Sequence, residues 1–267
     1  MLRRNLAPLT EGQWHAIDEE ARGVLERTLV ARRFVDVEGP HGWEYGAYNL
    51  GRLGEVAEDG PVRWSARLVR PLAEVRVPFQ LSLWELDNLE RGAPEVDLAP
   101  VVDAARALAR FEERAIYHGL PGANIEGLHA TKPTPKALPE SPEGILEAVA
   151  RSMITLSDAG VEGPYVLVLS EDVFSRLASR MDGYPVLRQL EELLGAPPAF
   201  SSGVDGAVLA SSRGGDFVLC IGVDASIGFD RVDDGHVHLY MTESFTFDVP
   251  GAEAVEVFSA CANPDAD

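Results

Sequence analysis

Between Tyr48 and Phe79 the apolar side chains Leu50, Leu53, Val56, Val62, Trp64, Leu68, Val69, Leu72, Val75 and Val77 are thinly spread among arginines and acids. Glu58-Asp59-Gly60-Pro61 reads as a turn, so the stretch is expected to be a long two-stranded arm with its tip there. An isolated hairpin is at best marginally stable in water, so an arm of this length has to lie on something. Two surfaces qualify on this reading: the core of its own chain, or another subunit.

The strongest helical pattern follows. Leu98, Val101, Val102, Ala105, Leu108, Phe111, Ala115 and Ile116 recur at spacings of three and four, which predicts a helix with one apolar face. Asp97 is placed as N-cap, Pro100 falls in the first turn, and Gly119 is placed to take the left-handed C-cap conformation. Such a helix would be about 30 Å long, enough to act as a spine for the domain. Before it, the alternating Phe79, Leu81 and Leu83 read as a strand running into an acidic turn or short helix at Trp84-Glu-Leu-Asp.

Upstream, Thr10 with Gln13 is a capping box flanked by Leu9 and Trp14, so a helix is expected with Trp14, Ile17, Ala21, Val24, Leu25 and Leu29 inward. A short strand follows at Phe34. The Pro- and Gly-rich stretch from Pro121 to Pro142, which holds both lysines of the chain, Lys132 and Lys136, reads as a boundary or surface loop. A helix with Ile145, Leu146, Val149, Met153, Ile154 and Leu156 inward comes next, then a continuous apolar strand from Tyr165 and two short helices, ended at Met181 and Gly195. This alternation points to a mixed α/β lobe up to about Val218. From Phe217 onward the chain reads as strands, with a loose acidic tail at Asn263–Asp267.

Charge narrows the partners. Lys and Arg total 23 against 43 for Asp and Glu, a formal net charge of −20, which disfavours nucleic acid and anionic membrane. The 267 residues are 46% hydrophobic, ample for a buried core. Cys220 and Cys261 lie on apolar stretches and suit a reducing cytoplasm, and neither a signal peptide nor a membrane span is expected.

Signals for chemistry are weak. No phosphate-loop or dinucleotide glycine pattern occurs. Ser226 sits in half of a nucleophile elbow, with the first glycine missing, and is read as structural. His236 and His238 share a strand face at a metal-ligand spacing, yet no third ligand can be named, and the pair is read as a turn entering a strand. The acidic groups Glu85, Asp87, Glu90 and Glu112, Glu113 are read as solvated helix faces. Trp84, beside acids, is read as packing before flavin stacking.

The segments FVDVEGPHGWEY (34–45), LWELDNLERG (83–92), VEGPY (161–165), RGGDF (213–217) and TESFTF (242–247) resemble, in order and nearly from end to end, the encapsulins, the nanocompartment shell proteins of bacteria and archaea formerly labelled linocin-type. The resemblance implies an α+β chain with the tailed-phage major capsid fold, of the HK ninety-seven type. It divides the chain into an N-terminal helix and peripheral-lobe segment (1–47), an extended loop (48–79), a peripheral lobe with the spine helix (80–120), an axial lobe (121–218), and peripheral-lobe strands with the acidic tail (219–267). It also implies a non-enzymatic, self-assembling icosahedral shell, T=1 at this length, which encloses a ferritin-like or peroxidase cargo in the cytoplasm for iron storage or oxidative-stress defence.

In this family an inner-surface groove grips a C-terminal peptide of the cargo. By position its lining here would be Leu25, Leu29, Arg32, Phe34, Asp36, Ile227 and Phe229, an apolar groove rimmed by Arg32 and Asp36, suited to a peptide with small apolar anchors and a basic or polar partner. Asp182, Gly183 and Tyr184 would frame a fivefold pore, with Asp182 supplying an acidic ring that attracts cations. Neither a metal nor a required cofactor is implied, although some members suggest a flavin on Trp84. The competing readings are a hydrolase using Ser226, a flavin-dependent enzyme using Trp84, and a phage capsid protein.

Overall fold

The computed structural model describes residues 2–132, 134–178 and 185–260. Thr10 closes the expected capping box: its hydroxyl accepts from the Gln13 amide, and Gln13 Oε1 accepts from the Thr10 amide at 3.0 Å. Helix α1 (Glu11–Thr28) starts there and turns Ile17, Ala21 and Val24 inward. A tight 3-10 turn at Ala31–Arg33 leads into strand β1 (Asp36–Glu38).

The arm is present, with its tip where the Gly-Pro pair predicts. Strands β2 (Ala47–Leu53) and β3 (Ala57–Asp59) go out, and β4 (Val62–Trp64) and β5 (Arg67–Pro71) return, β2 pairing with β5 and β3 with β4. Pairing within the arm ends at Pro71. The next strand, β6 (Ala73–Ser82), leaves the arm and pairs with the main sheet over ten residues, which buries Leu81 and half-buries Val75 and Val77. Within the arm itself Leu53, Val56, Val62, Trp64, Leu68 and Val69 stay exposed, from 41% to 61%.

Ser82 caps a short helix, α2 (Leu83–Glu90). The spine helix α3 (Ala99–His118) has Pro100 in its first turn; Asp97 Oδ1 accepts from the Ala99 amide at 3.0 Å, one residue outside the N-cap, Leu98. Gly119 ends it at φ 84°, ψ 172°, in the positive-φ region but not the left-handed helical conformation. A Cβ there would lie 2.7 Å from the Ile125 carbonyl oxygen, so the close return of the chain requires glycine.

Beyond the boundary loop, which contains β7 (Lys136–Leu138), come α4 (Pro142–Asp158), β8 (Tyr165–Leu169), α5 (Glu171–Ala178), α6 (Val186–Leu194), β9 (Ala199–Phe200) and β10 (Ala207–Ser211). In α4 the expected inward Ile154 is 62% exposed and Ser152 is buried in its stead, where its hydroxyl accepts from Lys136 Nζ at 3.0 Å. The remaining strands are β11 (Val218–Asp233), β12 (His236–Asp248) and β13 (Val255–Ala260). Strand β11 runs eleven residues past the short strand, Phe217 to Gly222, that the sequence suggests, because bulges near Ile221, Val223 and Phe229 break its alternation without ending the ladder.

A four-stranded sheet, order β1-β11-β12-β6, carries α1 and α3, and a five-stranded sheet, order β7-β13-β10-β8-β9, forms a second layer system with α4 to α6. Two apolar cores result. One joins the five-stranded sheet to the last turns of α3, the first residues of β11 and the end of β12; the other packs α1 and the start of α3 on β6, Ile227, Phe229, Leu239 and Met241. Each large side chain fully withdrawn from water contributes about 1.5–3 kcal/mol, so both cores can hold their elements in place.

Candidate functional site

A cavity of about 570 Å³ lies between α1 and the paired strands β11 and β12. Its shape follows from helical spacing. Ala21, Leu25 and Leu29, four residues apart, form an apolar row along α1, and Asp18, Arg22 and Glu26 form a charged row beside it along the rim. Ile227 and Met241 supply the apolar wall on the strand side. At one end stand Leu2 and Arg4 of the N-terminal segment, with Arg4 paired to both Asp18 carboxylate oxygens at 3.1 and 2.6 Å and 3.9 Å above the Trp14 ring.

The other end is ionic. Arg32 donates to Glu112 from Nε at 3.0 and 3.2 Å, to Glu243 at 2.5 Å and to Asp224 at 2.9 Å. Glu112 and Glu243 are fully buried. Burial pulls the Arg32 guanidinium down, but the Glu112 hydrogen bonds and charge, with Glu243 and Asp224 behind them, outweigh it and leave it raised. Glu243 is pushed well up by burial and by the Glu112 charge, against the pull of Arg32. Next to this cluster, Glu113 accepts from the Ala31 amide at 2.7 Å and the Ser201 hydroxyl at 2.6 Å, and burial pushes its carboxyl up to about 7.

Glu112 and Glu113 are therefore not solvated, as the charge-rich reading of the helix had them. Both are buried, and adjacent: one clamps the Arg32 side chain, the other the Ala31 backbone. The signal was in the spacing. Glu112 falls four residues from both Leu108 and Ile116, and Glu113 four from Ala109 and Tyr117, so both lie on the buried stripe.

Of the residues assigned to the groove from the sequence, Leu25, Leu29, Arg32 and Ile227 line one cavity. Phe34, Asp36 and Phe229 do not. Phe34 is core, packed against Tyr117 and edge-on to Phe217 at 5.9 Å. Asp36 is not a rim partner of Arg32, because its carboxylate accepts from the Gly215 amide at 2.5 Å on the turn after β10. Phe229 is buried in the α1 core and touches the site only through its backbone, whose amide donates to the Leu2 carbonyl at 2.8 Å. Acidic partners for Arg32 come instead from Glu112, Glu243 and Asp224, far from it in sequence.

The other chemical signals resolve simply. Ser226 pairs with Thr242 in the ladder and its hydroxyl donates to the Asp224 carbonyl at 2.7 Å, which leaves it no part in a catalytic pair among the described residues. His236 Nδ1 lies 2.8 Å from the Asp234 carbonyl oxygen at the hairpin turn, and among the described residues no group of three or more His, Cys, Asp or Glu is placed to hold a metal. Trp84 is 72% exposed with the Arg91 guanidinium 5.3 Å over its ring. One exposed ring with a cation over it is not a flavin pocket, and no cofactor step is assigned to it. Asp182, Gly183 and Tyr184, with Cys261 and the acidic tail, lie outside the described residues.

Residues 1–246 match the family described as encapsulating protein for peroxidase. The type 1 encapsulin shell protein of Rhodospirillum rubrum is 43% identical over 263 residues, covering 95% of this chain and 94% of that one. Among solved structures, the virus-like particle from Pyrococcus furiosus superposes with a TM-score of 0.64 at 13% identity, over 91% of this chain and 98% of that one. The capsid of Myoviridae phage XM1 superposes with a TM-score of 0.54 at 15% identity, over 86% of this chain and 91% of that one. Among the described residues no helix is long and apolar enough to cross a membrane.

Proposed function

Since the chain belongs to the encapsulin shell proteins, a family of structural proteins and not of enzymes with the tailed-phage major capsid fold, we propose that copies of it close into a hollow icosahedral shell of T=1 symmetry around a cargo enzyme. The observation that carries the reading is the arm. Leu53, Val56, Val62 and Trp64 are each about 60% exposed on two thin ribbons, and a ribbon of that kind gains its stability only by packing on another body. A neighbouring subunit is that body in a closed assembly, with the arm from Ala47 to Pro71 acting as the extended loop, shorter than 48–79 because β6 belongs to the main sheet, and with the five-stranded sheet, β13 included, and α4 to α6 as the axial lobe.

The groove beside α1 is then the inner site that retains cargo. Its apolar row and strand wall suit small apolar anchors of an extended peptide, and the charged row on Asp18, Arg22 and Glu26 suits polar flanks. Arg32 serves there as a buried strut closing one end, not as a free cation for the ligand. The cargo in this reading is a peroxidase or ferritin-like protein bearing a C-terminal targeting peptide, serving oxidative-stress defence or iron storage in the cytoplasm. Asp182 would ring the fivefold pore and favour entry of cations.

Electron micrographs of the protein purified from its native source, with mass spectrometry of the polypeptides released on denaturation, test both halves. Closed particles that release a second polypeptide are expected. Closed particles that never do so would remove the cargo function, and the absence of particles would remove the shell.

A further inference from the structure

Strand β11 has an uncovered edge on the groove. β1 covers it at Val218–Cys220, and the His41 and Gly42 amides donate to the Ile221 and Gly222 carbonyls just beyond, at 3.0 and 2.6 Å. From Ser226 to Phe229 its pairing with β12 runs without a register break, and in an antiparallel ladder every second residue turns its N–H and C=O away from the partner strand. Phe229 is such a residue, since its amide donates outward to Leu2. Ile227, two residues earlier and on the cavity wall, has the same orientation, and its backbone groups have no outward partner among the described residues. The edge is closed on the far side, where the Ala225 amide is taken by Asp224 Oδ1 at 2.8 Å.

From these positions we infer that the groove receives its peptide as an added strand on β11. Backbone hydrogen bonds at Ile227 set the register, within a window ended by Asp224 on one side and by this chain's own Leu2 on the other. The inference rests on the reading of the groove as the cargo site and states how it reads its ligand. Leu2 already makes one bond of this kind, so the edge is competent for it. Four residue steps from Ala225 to Phe229 span about 13 Å, so only a short extended segment fits. Alternate side chains of that segment face Leu25 and Leu29 across the cavity, which makes recognition depend on every second residue.

The test uses a labelled synthetic peptide of about ten residues with leucine at alternate positions and one arginine, and variants of it each methylated at one successive backbone nitrogen. Shells are dissociated and reassembled in the presence of each, and retained peptide is measured, with amide exchange followed over the fragment containing residues 225–229. Strand addition predicts that methylation at alternate positions lowers retention by about tenfold while the positions between are tolerated, and that exchange at 225–229 slows on loading. Retention that is indifferent to the site of methylation, or exchange that is unchanged in loaded shells, overturns the inference and leaves the groove as a cargo site. No retention of any peptide removes the groove reading itself.

Discussion

Arg32 and Glu112 lie 80 residues apart in sequence and meet through three hydrogen bonds, at 3.0 and 3.2 Å from Nε and 2.5 Å from a terminal nitrogen, with the carboxylate fully buried. This pair ties the turn after α1 to the spine helix and so fixes one end of the groove. Removing one partner of a buried pair leaves an uncompensated charge. Arg32→Ala should therefore cost about 3–5 kcal/mol of subunit stability, seen as a lower unfolding midpoint of the isolated subunit. Adding Glu112→Gln to it should recover part of that loss, whereas an additive double variant would show that the two groups are not coupled.

Glu113 makes stability pH-dependent with a defined sign. Its carboxyl stands at about 7 in the folded chain against an ordinary 4.5, because burial outweighs the Ser201 and Ala31 hydrogen bonds. The folded state thus holds the proton more tightly than the unfolded state, and stability contributed by this group falls as pH rises from about 4.5 to about 7, then levels off. The full difference is about 3 kcal/mol. Glu113→Gln keeps an acceptor for the Ala31 amide and carries no charge, so the variant should gain on the parent by roughly this amount between pH 5 and pH 8. A constant difference across that range contradicts the assignment.

Leu25 stands midway in the apolar row of the groove. Leu25→Asp places a charge against the proposed anchors of the cargo peptide. Cargo loading should fall by about tenfold or more while shells still close, measured as the mass ratio of cargo to shell in purified particles. Unchanged loading would move the cargo site elsewhere.

The arm was legible before the structure because its pattern is local: few apolar residues, many charges, and Gly60-Pro61 at the tip. The same holds for α1, whose capping box and four-residue spacings predict both its start and its buried side. What was not legible depends on pairs distant in sequence. Arg32 reads alone as a rim cation, and only folding brings Glu112, Glu243 and Asp224 to it. Asp36 reads as its neighbour in the groove, yet the parallel pairing of β1 with β11 carries it to Gly215. Glu112 and Glu113 read as solvated by their charge, while their position on the helical stripe places them inside. The extension of β11 was hidden by its bulges, which break the alternation that a strand pattern needs.

Trp64 and Val62 sit on the return ribbon near the arm's tip, each 58% exposed. Trp64→Asp combined with Val62→Asp should leave the subunit's own two cores intact and weaken contacts between subunits. The expected result is a shift from large particles to small species in light scattering at unchanged far-ultraviolet circular dichroism. Particles of unaltered size and stability would remove the arm from the assembly contacts.

The direct test of the account is electron cryomicroscopy of the purified, unmodified protein in dilute buffer. Closed hollow particles are predicted, with the arm of each subunit lying on its neighbour and the groove beside α1 facing the interior. A stable single subunit, its arm packed back on its own core, would contradict the shell.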